Sequence, residues 1–159
     1  MSQADPRRTV VILCGGRSAE HEVSLLSARS VLGAIDQTHQ QVQVIALAKD
    51  GQWLWYPDQH YWQEDARGQL SLKQGGRPVA LIRDQERPLF VCLDSDEKWP
   101  ADVAFPVMHG TFAEDGTLQG ALALAGLPFV GPGVLGSSVS MDKDVMKRLL
   151  LQAAEAEPA

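Results

Sequence analysis

The chain has 159 residues, a net charge of −6 at pH 7 and a pI near 5.1. That length suits one domain burying roughly two-thirds of its unfolded surface, and the acidic balance leaves no basic footprint, so neither nucleic acid nor an anionic membrane is expected as a partner. No apolar run approaches the ~20 residues that span a bilayer, and Cys14 and Cys92 sit in apolar runs as small buried residues, which together predict a cytoplasmic protein in a reducing compartment.

Residues 1–8 are polar, and no cleavage-site pattern follows them. Residues 9–14, TVVILC, are apolar and rich in β-branched types, as in a strand buried on both faces of a parallel sheet. Gly15 and Gly16 end it, allowing a sharp turn with positive φ, and a helix is predicted from near Ser18, whose hydroxyl would cap its first turn. Helix N-termini present free N–H groups and about half a positive charge. Here the first turns carry Glu20 and Glu22, and the spacing lacks GxGxxG, so the mouth suits an ammonium group better than a pyrophosphate. The dipole favours both carboxylates in their ionised form. On a helical wheel Leu25, Ala28, Val31, Leu32 and Ile35 form the apolar stripe. Glu22 falls on the side of Arg29, whereas Glu20 lies on the flank shared with Val23, Ser24 and Ser27, where a side chain can overhang the sheet. Glu20 is the functional candidate, against the plainer reading that both acids only offset the dipole.

Residues 36–41 are a polar connection, and Val42, Val44 and Ala46 alternate with Ile45 and Leu47 in a second strand, completing a βαβ unit. Lys49, Asp50 and Gly51 form a turn. Residues 53–56, WLWY, make a short strand or a hydrophobic flap, an edge over the core rather than an aromatic ligand box. Gly68, Gly75, Gly76 and Pro78 mark residues 65–78 as an irregular or hairpin excursion. Residues 79–82 and 89–93 suggest a small antiparallel pair, and residues 94–100 a loop.

Residues 103–108 are a third buried strand, followed directly by HGTFAEDGTLQG, with Leu118, Leu122 and Ala125 marking a helix from Thr117 that stops at Gly126. Ligand crevices of open parallel sheets lie outside the carboxyl ends of the strands, so this loop and GGRSAEHEVS should share a rim and bring His109 toward Glu20. A histidine beside a glycine is also a common structural hydrogen-bonding group, and capping explains Glu114 and Asp115. Residues 128–130 form a fourth short strand, which GPG breaks before the small-residue run VLGSSVSM. Asp142 caps a last helix whose apolar stripe is Val145, Met146, Leu149 and Leu150, with Lys143, Lys147 and Arg148 exposed. A cation in a first turn is unfavourable by a few tenths of a kcal/mol, which Asp144 offsets; a phosphate partner is one reason for Lys143, simple solvation the other.

GGRSAEHEVSLLSA, HGTFAEDGTLQG, GLPFVG and SMDK, in this order over nearly the whole chain, resemble the N-terminal third of D-alanine:D-alanine ligases of the A-type branch. The resemblance implies a Rossmann-like pre-ATP-grasp domain, an α/β fold with a parallel sheet and flanking helices plus a small antiparallel excursion. It implies residues 1–141 as that domain and residues 142–159 as the start of a helix leading toward an ATP-grasp domain absent here. The implied activity is ATP-dependent joining of two D-alanines for peptidoglycan precursors, through an acyl phosphate attacked by the second amine. ATP, Mg2+ and D-alanine are the implied ligands of the complete enzyme, a homodimer. Carried over, Glu20 and His109 are the catalytic residues beside the first D-alanine, with Gly15, Gly16, Ser18, Val23 and Gly110 as further substrate-binding positions. Lys143 is the ATP contact, and no residue here is a metal ligand. By itself the chain is expected to bind neither ATP nor Mg2+ tightly and to be inactive.

Two features depart from the family pattern, one residue and the ending. Ala113 stands where HGxxGEDG has glycine; if that position needs positive φ, alanine strains the loop by roughly 1 kcal/mol and displaces His109. The family continues for roughly 200 further residues, one to two domains by size, and the ending LLLQAAEAEPA reads as a truncation, a frameshifted tail or one part of a split gene. A stand-alone amino-acid-binding or partner-binding module, a non-functional gene remnant and a D-alanine:D-lactate ligase fragment stay open as other readings.

Overall fold

The computed structural model describes residues 7–85 and 87–156, so residues 1–6, 86 and 157–159 lie outside the described residues. In chain order the elements are β1 (Arg8–Gly15), α1 (His21–Ala34), β2 (Gln40–Leu47), β3 (Trp53–Tyr56), β4 (Trp62–Glu64), β5 (Leu70–Leu72), β6 (Arg77–Arg83), β7 (Pro88–Cys92), β8 (Lys98–Pro100), β9 (Val103–Pro106), α2 (Thr117–Leu124), α3 (Val134–Met141) and α4 (Lys143–Ala156). β1 is the hub. It pairs parallel with β2, Val10 opposite Val42, and parallel with β9, Val10 opposite Val103. The fourth parallel strand is reduced to a bridge between Ala104 and Phe129.

The fold is α/β, with flanking helices on a sheet whose parallel strands gather at one end. Beyond β2 the same sheet continues antiparallel, in the order β8-β7-β6-β3-β2-β1-β9. WLWY is therefore a strand, and the pair formed by β6 and β7 is antiparallel as expected. The excursion closes as the β4–β5 hairpin.

Successive side chains of β1 serve opposite faces, as a period of two demands. Ile12 and Cys14 join Leu25, Ala28, Val44, Tyr56 and Tyr61 beneath α1 and the hairpin. Val11 and Leu13 join Trp55, Phe90, Leu118 and Leu122 beneath α2. Each fully buried leucine contributes about 1.5–3 kcal/mol. The Tyr61 hydroxyl donates to the Leu25 carbonyl at 2.9 Å, which pins the hairpin to α1 without leaving a buried polar atom unpaired.

Two expectations need correction, and one segment left open gains a structure. The loop predicted over residues 94–100 ends in β8, because Trp99 stacks on Phe90 with centroids 4.8 Å apart and draws the segment onto the sheet. VLGSSVSM is helix α3; its small side chains let it lie close to α2, so that a Cβ added at Gly116 would meet Ser138 Oγ at 2.6 Å. Ser18 lies before α1, which begins at His21 with Glu20 as its N-cap residue and no side-chain cap. Asp142 does cap α4, its Oδ1 accepting from the N–H groups of Asp144 at 3.0 Å and Val145 at 3.1 Å. On α4, Val145, Leu149 and Leu150 are exposed, and Asp144 is paired with Arg148 at 2.9 Å. Among the described residues no helix is long and apolar enough to cross a membrane.

Candidate functional site

Site geometry begins at the glycine turn after β1. Gly15 and Gly16 have φ of +79° and +106°, and Gly16 N–H donates to Leu47 O at 2.7 Å. His21, buried in the first turn of α1, donates from Nδ1 to Gly16 O at 2.7 Å, since a carbonyl can only accept. His21 carries little signal in the sequence. Its one cue was its place four residues before Leu25, on the apolar stripe rather than beside the acids.

One flank of α1 then ties this turn to the loop after β9. Ser24, fully buried, accepts from Gly15 N–H and donates to Val107 O, both at 2.8 Å. Ser18 Oγ donates to His109 O at 2.6 Å and accepts from Glu20 N–H at 3.2 Å. Ser27 Oγ lies 3.1 Å from His109 Nε2. Glu20 completes the row: a Cβ built on Gly110 would stand 2.7 Å from Glu20 Oε2, so its carboxylate lies against that glycine. From the loop itself, Glu114 Oε2 accepts from Gly110 N–H at 2.9 Å, while Oε1 is 3.7 Å from His109 Nδ1.

Gly15, Gly16, Ser18, Glu20, His109 and Gly110 therefore meet at one rim, at the carboxyl ends of β1 and β9. Val23 is an exposed residue of α1, and its carbonyl accepts from Ser27 Oγ at 3.0 Å. Lys143 is exposed at the head of α4, a separate element that packs mainly on α3. Glu22 is engaged elsewhere, by Lys49 Nζ at 2.6 Å, and that hydrogen bond holds its carboxyl below the usual range. Arg29, expected beside Glu22, lies over the Trp62 ring at 4.4 Å. The rim thus presents two carboxylates, Glu20 and Glu114, and a histidine. Such a site attracts a cation and repels a phosphate. Among the described residues no group of three or more His, Cys, Asp or Glu side chains converges as a metal site.

Loop shape rests on Asp115. Its Oδ2 accepts from Phe112 N–H at 2.8 Å and its Oδ1 from Thr117 N–H at 2.9 Å. Partial burial raises the Asp115 pKa, but these N–H donors outweigh it and bring the carboxyl below its ordinary 3.8. A depressed folded value means that the stabilisation is present above the unfolded pKa and fades as pH falls through the folded one. Protection of the Phe112 and Thr117 amides against exchange, relative to their intrinsic rates, is accordingly expected to fall on acidification below about pH 4, and Asp115→Asn to cost about 1 kcal/mol at neutral pH. Unchanged exchange in the variant would show that the loop holds itself.

Alanine at position 113 does not strain this loop. The left-handed residues are Gly110 at +74°, Phe112 at +68° and Gly116 at +94°. Ala113 is instead buried in the core, and Gln119 Nε2 donates to its carbonyl at 2.8 Å. Phe112 keeps its left-handed turn beneath the Arg17 guanidinium, 4.9 Å from the ring centroid.

The sequence model of a family described as "D-ala D-ala ligase N-terminus" matches residues 9–132. A D-alanine–D-alanine ligase of Proteus mirabilis is 42% identical over 149 residues, covering 92% of this chain and 41% of the relative. One from Natranaerobius thermophilus is 46% identical over 142 residues, covering 89% of this chain and 38% of the relative. Among solved structures, the D-alanine-D-alanine ligase from Coxiella burnetii superposes with a TM-score of 0.74 at 32% identity, over 92% of this chain and 42% of that one. The VanG D-Ala:D-Ser ligase from Enterococcus faecalis gives 0.74 at 30% identity, over 93% and 42%. The chain spans about 40% of the length of the curated relatives it matches. With the matched residues running from β1 past the His109 loop, the chain belongs to the D-ala D-ala ligase N-terminus family.

Proposed function

We propose that this chain is the substrate-side domain of an ATP-dependent D-alanine:D-alanine ligase, with residues 1–141 as the domain and residues 142–159 beginning the link to an ATP-grasp lobe. The observation that carries the reading is the Glu20 carboxylate lying against Gly110, on a rim shared with His109. An amino acid placed there meets Glu20 with its ammonium group, a charge-assisted contact in reach of solvent. Ser18 and Ser24 hold the two loops so that this contact needs no rearrangement. In the complete enzyme, ATP with Mg2+ would activate the carboxylate of the first D-alanine. From this chain Lys143 offers a cation to the phosphates, and the remaining residues described above bind and orient the amino acid. The buried thiols of Cys14 and Cys92 fit a cytoplasmic setting.

Titrating the isotopically labelled chain with D-alanine tests the reading. Amide signals of Gly16, Ser18 and Gly110 are expected to shift, and D-lactate, which has a hydroxyl in place of the ammonium, is expected to leave them in place. Equal shifts with D-lactate, or none with D-alanine, would overturn it. The same chain mixed with ATP, Mg2+ and D-alanine is expected to release no phosphate; release would show that the chemistry needs no further lobe.

A further inference from the structure

We propose that Ser27 is a positioning residue that fixes which ring nitrogen of His109 carries the proton in its neutral form: Nε2, donating to Ser27 Oγ. A serine hydroxyl has one proton and two lone pairs. Ser27 Oγ has two neighbours, Val23 O at 3.0 Å and His109 Nε2 at 3.1 Å. Val23 O is a backbone carbonyl one helical turn back and can only accept, so the hydroxyl proton is committed to it. The lone pairs of Oγ then face Nε2, which must supply the hydrogen. In the neutral ring the other nitrogen, Nδ1, is left as the acceptor on the side of Glu114, whose Oε1 at 3.7 Å is beyond hydrogen-bond distance.

The rest of the histidine is already held, which is why one hydroxyl suffices to set the ring. Its carbonyl accepts from Ser18 Oγ at 2.6 Å, and the next N–H, that of Gly110, is taken by Glu114 at 2.9 Å. Ser27 stands seven residues after Glu20, two turns along the same flank of α1. One helix therefore delivers a carboxylate to Gly110 and a ring anchor to His109. Nδ1 is the nitrogen free to receive a proton or an N–H from a ligand, and this consequence rests on the amino-acid reading above.

Ring-nitrogen NMR of the 159-residue chain, recorded on neutral rings at alkaline pH with His109 assigned from the missing signals of His109→Gln, decides the matter without any ligand. Nε2 of His109 is expected to be protonated and Nδ1 bare. Ser27→Ala is expected to give a mixture of tautomers, and Ser27→Thr, which keeps the hydroxyl, to restore the single form. Alanine is the better helix former, so Ser27→Ala keeps α1 intact. A bare Nε2 in the unaltered chain, or an unchanged tautomer in Ser27→Ala, would overturn the proposal. In the D-alanine titration Ser27→Ala is expected to weaken binding about two- to tenfold, the worth of one neutral hydrogen bond. Failure of the unaltered chain to bind D-alanine would strike the amino-acid reading and leave the tautomer result standing.

Discussion

Gly15→Ala is expected to destabilise the chain by about 3 kcal/mol, because the new methyl group meets two independent penalties. At φ +79° any L side chain sits in the left-handed region, which costs about 1–2 kcal/mol. The added Cβ would also collide with Leu47 O and stand 3.1 Å from His21 Cε1. Neither neighbour can step aside cheaply. Leu47 O belongs to β2 and accepts from Gly16 N–H at 2.7 Å, and the His21 ring is tethered to Gly16 O. Overpacking against such fixed groups costs about 1–3 kcal/mol. Gly33→Ala is the control: it lies within α1 with nothing inside 4 Å of its new Cβ, and is expected to stabilise by up to about 1 kcal/mol. Urea unfolding with unchanged m-values measures both. A Gly15→Ala midpoint close to that of the unaltered chain would mean that the turn relaxes and does not fix the rim.

The parts of this fold legible in the sequence are those whose cause is local. TVVILC announces its strand because every side chain in it is buried, and the stripe from Leu25 to Ile35 announces α1 because its spacing follows the helical turn. β8 has no such signature; it forms because Trp99 finds the Phe90 ring across the sheet, a contact between residues nine apart that no local pattern encodes. α3 was hidden for the opposite reason. Its glycine and serines have weak intrinsic helix preference, and what favours them is close approach to the Asp115–Gly116 backbone.

Within the site, the meeting of the two loops follows from a rule of topology, since both leave the carboxyl ends of adjacent parallel strands. The serine contacts do not follow from it. Ser24 and Ser27 share the flank of Glu20, which is readable, but whether a serine back-bonds its own helix or reaches a loop depends on coordinates. Ala113 shows how fine that limit is: the positive φ values fall at residues 110, 112 and 116, the nearest of them one step away from the alanine that departs from the family pattern.

Glu20→Gln is expected to weaken D-alanine binding by roughly 1.5–3 kcal/mol, ten- to about a hundredfold, the worth of one hydrogen bond to a charged group. The substitution keeps size and geometry and removes only the charge. That charge has no ion-pair partner: among the described residues Lys49 engages Glu22, His109 Nδ1 stands 3.7 Å from Glu114, and no ion pair engages Glu20. A ligand ammonium is therefore the cation that Glu20 lacks, since the neighbouring Arg17 lies over the Phe112 ring. Glu22→Gln removes a partly exposed surface pair worth less than about 1 kcal/mol and is expected to leave binding unchanged. Gly110→Ala reaches the same carboxylate from the other side, since its Cβ would stand 2.7 Å from Glu20 Oε2 at a φ of +74°, and it is expected to abolish binding. Because Glu20 is exposed, Glu20→Gln should unfold at the same urea concentration as the unaltered chain, which separates lost binding from lost structure. Equal loss in Glu22→Gln, or D-alanine affinity within twofold of normal in Glu20→Gln, would remove Glu20 from the ammonium site.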